Sequence, residues 1–220
     1  MSLEPTPMQT VGPYFSLGMM REKGDNVLVQ PGTEGERIRI EGHVYDGDGD
    51  PLFNVLLEIW QANSHGRYNH PRDQRPLPLD PAFTGFGRAS TDAKGHYWFQ
   101  TVKPGVVPYY GGDAMLAPHI VVTVFASGVA YPLITRLYFA DDPRNDDDPI
   151  LQRVPEHRRH TLLAHPEKRD GGDGETVYHY DIVLRGEAEE LVLEGKVAAE
   201  DAKDAPSGAG KAETVFLALR

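Results

Sequence analysis

Residues 37–45 read Arg-Ile-Arg-Ile-Glu-Gly-His-Val-Tyr, and this stretch decides the fold class. Apolar and polar residues alternate along most of it, which is typical of a β-strand with one buried face. The next six residues, Asp-Gly-Asp-Gly-Asp-Pro at 46–51, have the composition of a turn. We therefore expect the chain to be built from short strands that are separated by turns.

Other segments follow the same strand-and-turn pattern. Strands are predicted at residues 55–61, 88–91, 96–101, 120–125, 133–139, 176–184 and 214–219. Residues 92–95, Asp-Ala-Lys-Gly, predict a hairpin turn between their flanking strands, whereas residues 69–86 carry four prolines and predict an irregular loop. One short helix is expected at residues 154–163. This pattern favours an all-β sandwich with few short helices.

The ends of the chain differ in composition from its centre. Residues 1–18 are rich in Pro and Gly and predict an extended N-terminal arm rather than a helix. Residues 19–220 are expected to form a single β-sandwich domain. Within it, residues 187–213 are rich in Ala, Glu, Lys and Gly and predict an insertion, with an exposed helix at 189–205 and a flexible turn at 206–210.

Composition limits the partners and the compartment. The chain of 220 residues has a net charge of −11, which disfavours nucleic acid as a partner. It has no run of 18 apolar residues, so we expect no membrane partner. No secretory signal is visible at the N-terminus, and there are no cysteines. A cytoplasmic location is the expectation that fits these features.

An ordered series of short motifs runs along the chain. They are Gly-His-Val-Tyr-Asp-Gly-Asp-Gly at 42–49, Glu-Ile-Trp-Gln-Ala-Asn at 58–63, Gly-Arg-Tyr at 66–68, Phe-Gly-Arg at 86–88, Thr-Asp-Ala-Lys-Gly at 91–95, Lys-Pro-Gly at 103–105, Ala-Pro-His at 117–119 and Thr-Arg-Leu-Tyr-Phe at 135–139. Their order and spacing resemble the intradiol ring-cleaving dioxygenases. The resemblance implies a prealbumin-like β-sandwich and Fe(III)-dependent cleavage of catechol rings with O₂.

The resemblance also implies a metal site, and this chain departs from its pattern. Catalytic chains of the family hold Fe(III) with two tyrosines and two histidines, donors that suit a hard ferric ion. Tyr68 and His119 match one ligand of each kind, but Val107 and Val121 stand at the other two positions. Leu116 stands where the catalytic chains have an arginine that assists the reaction. We therefore expect no functional iron here, with Fe(III) held by a partner chain.

Two alternatives remain open from the residues. Tyr109 lies two residues beyond Val107, so an extended segment would turn both side chains to one face. Tyr68, Tyr109 and His119 would then be an altered ligand set in a self-sufficient homo-oligomeric dioxygenase, and His65 or His70 could be recruited. A non-enzymatic β-sandwich module is the other alternative, because a fold alone does not fix a function.

Further expectations concern polar and aromatic residues. If iron is absent, we expect Tyr68 and His119 to form a buried hydrogen-bonded pair, since buried polar groups need partners. Trp60 and Trp98 are interpreted as core residues. Residues 146–148, three consecutive aspartates, are interpreted as a solvated acidic loop.

Within the family the chain is most similar to non-catalytic chains that pair with a catalytic chain. Thr-Val-Gly-Pro-Tyr at 10–14, Lys-Pro-Gly-Val-Val at 103–107 and Glu-Thr-Val-Phe at 213–216 carry this likeness. It implies that Thr10, Gly12, Pro13 and Tyr14 line part of the partner's pocket for a small aromatic catechol. Ser127 is a departure, because related chains often have an arginine there that faces the substrate carboxylate.

Overall fold

The structure is a computed structural model that describes residues 7–20, 24–110, 113–168, 175–184 and 214–217. Its strands are β1 (Arg37–Tyr45), β2 (Leu56–Trp60), β3 (Phe86–Ser90), β4 (His96–Val102), β5 (Val107–Pro108), β6 (Met115–Leu116), β7 (His119–Phe125), β8 (Leu133–Phe139), β9 (Leu163–Lys168), β10 (Thr176–His179) and β11 (Ile182–Val183). One α-helix, α1 (Phe15–Met19), and 3-10 turns at Pro143–Asp147, Leu151–Arg153 and Glu156–Leu162 complete the elements of these residues.

The strands form two layers that share a core. In the first layer β4 pairs with β1, β1 with β10 and β10 with β9, while β11 extends the β1 edge. In the second layer the order is β3-β2-β7-β8. Strand β9 joins the layers, because its first residues pair with β8 and its later residues pair with β10.

Alternation along the strands creates the core between the layers. On β7, Ile120, Val122 and Val124 are buried, and they pack in one cluster with Ile38 and Ile40 of β1. Since successive strand side chains point to opposite faces, the odd-numbered residues of β7 lie on the outer face of the second layer. The all-β sandwich prediction is confirmed, and the outer face of the second layer is where the candidate site lies.

The predicted hairpin at residues 92–95 is wrong as a strand pairing. The turn itself exists, closed by hydrogen bonds from Asp92 N to His96 O and from Gly95 N to Asp92 O, both 3.0 Å. However, β3 pairs with β2, and β4 pairs with β1. The turn therefore carries the chain from one layer to the other, which local periodicity cannot distinguish from a hairpin.

The arm and the later helix also differ from expectation. Residues 15–19 are helical rather than extended, and they are held by tertiary contacts: the rings of Phe15 and Phe125 lie 5.4 Å apart, and Ser16 donates to the Asn54 side chain. The helix predicted at 154–163 is a 3-10 turn, Glu156–Leu162. The α-helix at residues 15–19 has only five residues, too few to be stable by helix propensity alone. The sequence of the arm therefore gave no indication of it.

The C-terminal predictions are only partly within the described residues. The strand predicted at 176–184 is interrupted and becomes β10 and β11. Residues 214–217 of the predicted 214–219 strand pack beside β8 and β11 through single bonds, such as Leu217 N to Ile134 O at 2.6 Å, without a regular ladder. The insertion at 187–213, its helix and its turn lie outside the described residues. Among the described helices, none is long and apolar enough to cross a membrane.

Candidate functional site

The two positions expected for histidine ligands, His119 and Val121, lie at one end of the outer face of β7. His119 is opposite Tyr138 of β8, and Val121 is opposite Arg136 of β8. On its other side Val121 is opposite Trp60 of β2. Because directly opposite residues share a face, these side chains form one surface.

Two backbone segments that touch each other bring Tyr68 and Val107 to this surface. Gly66 has a φ of 80°, and a Cβ on it would lie only 2.1 Å from the Val106 carbonyl oxygen. A Cβ on Gly105 would lie 2.5 Å from Gly66 N. The Asn63 carbonyl accepts hydrogen bonds from both Gly66 N and Gly105 N, each 2.9 Å. The Gly-Arg-Tyr and Lys-Pro-Gly motifs are therefore two halves of one close backbone contact.

An apolar cluster occupies the region of the second tyrosine ligand. Val107 of β5 is opposite Leu116 of β6, and both are buried. They pack with Ala62, and the partly buried Tyr68, Tyr109 and Ile150 pack against them. Val107 and Leu116, two of the three positions where a functional side chain is expected to be missing, are thus direct cross-strand neighbours. Their apolar side chains fill this region.

His119 is a buried neutral imidazole. Only 4% of the residue is exposed, and its Nδ1 lies 2.8 Å from the carbonyl oxygen of Ala117, which makes Nδ1 the protonated donor nitrogen. Burial, with a smaller contribution from the Arg136 charge, lowers the pKa of His119 to about 4. Its ring centroid lies 5.7 Å from that of Tyr138.

The predicted hydrogen-bonded pair of Tyr68 and His119 is wrong. Both residues are described, and no hydrogen bond joins their side chains; His119 Nδ1 donates to Ala117 O instead. Tyr68 instead stacks on Trp60, with ring centroids 5.8 Å apart and planes inclined by 15°. Burial raises the pKa of the Tyr68 phenol, although the charges of Arg136 and Arg75 oppose this rise.

The two tryptophans are not core residues, contrary to expectation. Both are half-buried. Trp60 lies on the outer face of the second layer beneath Tyr68, and Trp98 carries the Arg39 guanidinium 4.2 Å above its ring. Alternation in β2 and β4 turns the aliphatic neighbours inward and leaves each indole on the outer side.

The donors present do not fit an iron ion. Val107 and Val121 have no donor atom, and among the described residues no group of three His, Cys, Asp or Glu side chains could hold a metal. Tyr109 packs on the same cluster as Tyr68, but its hydroxyl accepts a 2.8 Å hydrogen bond from Arg153. His65 bonds to Glu34 at 2.8 Å. This geometry does not favour the altered ligand set.

The interpretation of residues 146–148 as a solvated loop is wrong for Asp148. Its side chain is fully buried, and it accepts hydrogen bonds from Ala117 N at 2.8 Å, Leu151 N at 2.8 Å, Ile150 N at 2.9 Å and the Tyr138 hydroxyl at 3.2 Å. Asp148 thus joins Ala117, two residues before His119, to the start of the 3-10 turn Leu151–Arg153. Three identical residues in sequence gave no signal that only the third is buried.

The arm lies at the other end of β7. Thr10 Oγ1 accepts a 2.7 Å hydrogen bond from Gly128 N, and the Asn54 side chain donates to Pro13 O at 3.2 Å. Gly12 and Pro13 are exposed, and Tyr14 is 79% exposed. Phe125 lies six positions after His119 along the strand, roughly 20 Å at the usual rise. The arm residues are therefore remote from this chain's own former ligand positions, and the exposed Ser127 lies beside Gly128.

Sequence reasoning missed two residues that organise these regions. Arg136 was assigned only to a strand motif, yet it faces Val121. Asn54, with a φ of 64°, bonds the arm at two points. Pairing register and a left-handed backbone both depend on tertiary contacts, so neither role had a local signal.

The two-layered β-sandwich, with a tyrosine and a histidine retained at one outer-face site, defines the class of protein. The chain belongs to the intradiol dioxygenase family, since the dioxygenase family model matches residues 10–186. It is similar to the protocatechuate 3,4-dioxygenase alpha chain of Pseudomonas putida, with 40% identity over 204 residues that cover 87% of this chain and 97% of that one.

Two further comparisons place the chain within the family. The protocatechuate 3,4-dioxygenase beta chain of Burkholderia cepacia is 44% identical over 154 residues, which cover 69% of this chain and 66% of that one. Among solved structures, the dioxygenase domain of a dioxygenase carbohydrate-binding protein fusion from Streptomyces sp. SirexAA-E is 29% identical, with a TM-score of 0.54 over 83% of this chain and 99% of that one.

Proposed function

We propose that this chain is the metal-free alpha chain of a protocatechuate 3,4-dioxygenase. In the complex, a partner beta chain holds Fe(III) and cleaves protocatechuate with O₂ to 3-carboxy-cis,cis-muconate. The observation that carries the proposal is the site itself, where Val107 and Leu116 pack against each other and Val121 faces Arg136. Two donors without the other two ligands give a site of weak affinity and poor geometry.

The identity values alone do not decide whether this chain is of the alpha or the beta kind. The beta chain match has the higher identity, 44% against 40%, but over a shorter region. The alpha chain match extends over nearly the whole length of that relative. The apolar side chains at residues 107, 116 and 121 support the alpha assignment independently of any identity value.

The arm is proposed to line part of the partner's substrate pocket through Thr10, Gly12, Pro13 and Tyr14. Its base is fixed by the bonds to Gly128 and Asn54, while Tyr14 presents an exposed ring. A segment held at its base loses less conformational entropy on assembly than a free one. Its distance from this chain's own His119 supports a role at a neighbouring chain.

Metal analysis with and without the partner tests the proposal. The chain is expressed alone and together with the beta chain of its source organism, and iron, visible absorbance and protocatechuate-dependent O₂ uptake are measured. We expect all three only in the co-expressed complex. Stoichiometric iron in the chain alone would contradict the proposal.

The altered ligand set can be tested in the same assay. A Tyr109→Phe variant of the lone chain removes the phenol that this alternative requires. If the lone chain held iron and lost it in the variant, the self-sufficient dioxygenase would be supported. Unchanged metal content in the variant would contradict the altered ligand set.

A further inference from the structure

A positive charge lies among the former ligand positions. Arg136 of β8 is directly opposite Val121, and Val121 is in turn opposite Trp60, on which Tyr68 stacks. Opposite residues in an antiparallel pair have Cβ atoms about 4.5–5.5 Å apart and project from the same face. The Arg136 side chain therefore begins on the surface that Tyr68 and His119 share.

The guanidinium of Arg136 remains at this surface. Its Nη1 donates a hydrogen bond of 3.5 Å to the Tyr138 hydroxyl, and the Tyr138 ring lies beside that of His119. Arg136 is half-buried, so its charge is only partly screened by water. The guanidinium is therefore held next to the ring pair that contains His119.

Among the described residues, Arg136 is linked to a carboxylate only indirectly, through the Tyr138 hydroxyl, which donates to Asp148 at 3.2 Å. The neighbouring arginines are paired, Arg75 with Asp73 at 2.5 Å and Arg88 with Glu58 at 2.6 Å, but no ion pair there includes Arg136. An arginine guanidinium is a cationic group. The surface thus carries a positive charge beside the donors that would have to bind a trivalent cation.

We propose that Arg136 excludes iron from this chain, in addition to the loss of ligands at residues 107 and 121. Like charges a few ångströms apart repel, and the repulsion is stronger where burial keeps part of the water away. Tyrosine and histidine restored at the two valine positions would still face this charge. The inference deepens the proposed metal-free role, on which it rests, and it names the group that enforces that role.

Iron binding by ligand-restored variants tests the inference. Full-length chains carrying Val107→Tyr and Val121→His are compared with chains that also carry Arg136→Gln or Arg136→Lys. Each is incubated with Fe(II) under nitrogen, exposed to air and desalted. Iron per chain is measured by mass spectrometry, and the visible tyrosinate-to-Fe(III) absorption band reports coordination by phenolate.

The two replacements at Arg136 separate charge from shape. We expect the Gln variant to hold close to one iron per chain, with an affinity at least about tenfold higher than that of the double variant. The Lys variant, which keeps the charge, should behave like the double variant. Equal affinity of the double and Gln variants, equal affinity of the Lys and Gln variants, or absence of iron from a folded Gln variant would each overturn the inference.

A smaller change covers the case in which the larger variants do not fold. Val121→His alone adds one donor to Tyr68 and His119, and it is compared with Val121→His combined with Arg136→Gln. Far-ultraviolet circular dichroism against the wild-type chain verifies folding. The same gain of about tenfold in iron affinity is expected on removing the charge, and no gain would overturn the inference.

The wild-type chain in this assay distinguishes the two proposals. Iron bound stoichiometrically by the wild-type chain contradicts the proposed metal-free function, whatever the variants do. A metal-free wild-type chain together with an iron-binding double variant leaves the proposed function intact and contradicts only the role of Arg136.

Discussion

His119 is a buried histidine whose neighbours at the expected ligand positions are apolar, Val107 and Val121. It is 4% exposed, and its single bond to Ala117 O involves the neutral form of the ring. A buried neutral histidine favours folding only while the unfolded chain is also neutral. The stability of the protein should therefore depend on pH through this residue.

We predict a loss of stability as the pH falls from about 6.5 to about 4. In that window the unfolded chain binds a proton that the folded chain does not, so the free energy of unfolding decreases as the pH falls. The full difference is about 3 kcal/mol. Urea unfolding across the window should show a flatter profile for His119→Asn, whose amide can still donate to Ala117 O.

The exposed His157 provides the control for this measurement. His157→Asn should keep the pH dependence of the wild-type chain, since the site around His119 is untouched. If the His119→Asn profile followed that of the wild type, the buried imidazole would not be the cause.

Single residues show what sequence can and cannot predict about the site. The apolar side chains at Val107, Leu116 and Val121 can be read from the sequence, because each is a matter of residue type within a recognisable motif. The role of Arg136 could not be predicted, because it depends on which residue of β8 lies opposite Val121. Register is set by the whole sheet, not by the Thr-Arg-Leu-Tyr-Phe segment.

Among the secondary-structure elements, β7 contributes to the core, the candidate site and the contact with the arm. Its even residues pack in the core, and its odd residues line an outer face with His119 and Val121 at one end and the arm at the other. The strand itself was predicted from its apolar residues. Its partners were not, and the 92–95 turn shows the same limit, since its two flanking strands belong to different layers.

The segment that leads into the His119 end of β7 is held in place by Asp148. We predict that Asp148→Asn lowers the free energy of unfolding by about 2–4 kcal/mol, because four donors converge on a fully buried carboxylate and the amide NH₂ cannot accept. Urea unfolding at neutral pH measures this loss.

The adjacent aspartate is a matched control. Asp147 is exposed, so Asp147→Asn should change stability by no more than about 0.5 kcal/mol. Similar losses of unfolding free energy for the two substitutions would show that the buried hydrogen bonds of Asp148 do not account for its effect.

For the whole molecule, the prediction concerns the proposed complex. In the co-expressed enzyme, Tyr14→Ala should raise KM for protocatechuate by about tenfold, the value of one lost aromatic contact. Iron content should stay unchanged, since the metal ligands belong to the partner. Steady-state kinetics and metal analysis of the same preparation check both parts.

Tyr110 is a matched control for the arm substitution. It is 97% exposed and lies beyond β5, near the His119 end rather than near the arm. Tyr110→Ala should leave KM unchanged. A decrease in iron content in the Tyr14→Ala complex would show that the arm acts on the metal site instead of on substrate binding.

The opposite placement of arm and former site on β7 has a consequence for genetics. On the proposed function, a harmful substitution near His119 impairs the folding of the polypeptide that carries it. One near Phe125 leaves that polypeptide intact and impairs catalysis in another. Two alleles of the same gene, separated by six codons, would therefore cause different defects: one a shortage of assembled enzyme, the other a full amount of enzyme with poor substrate affinity.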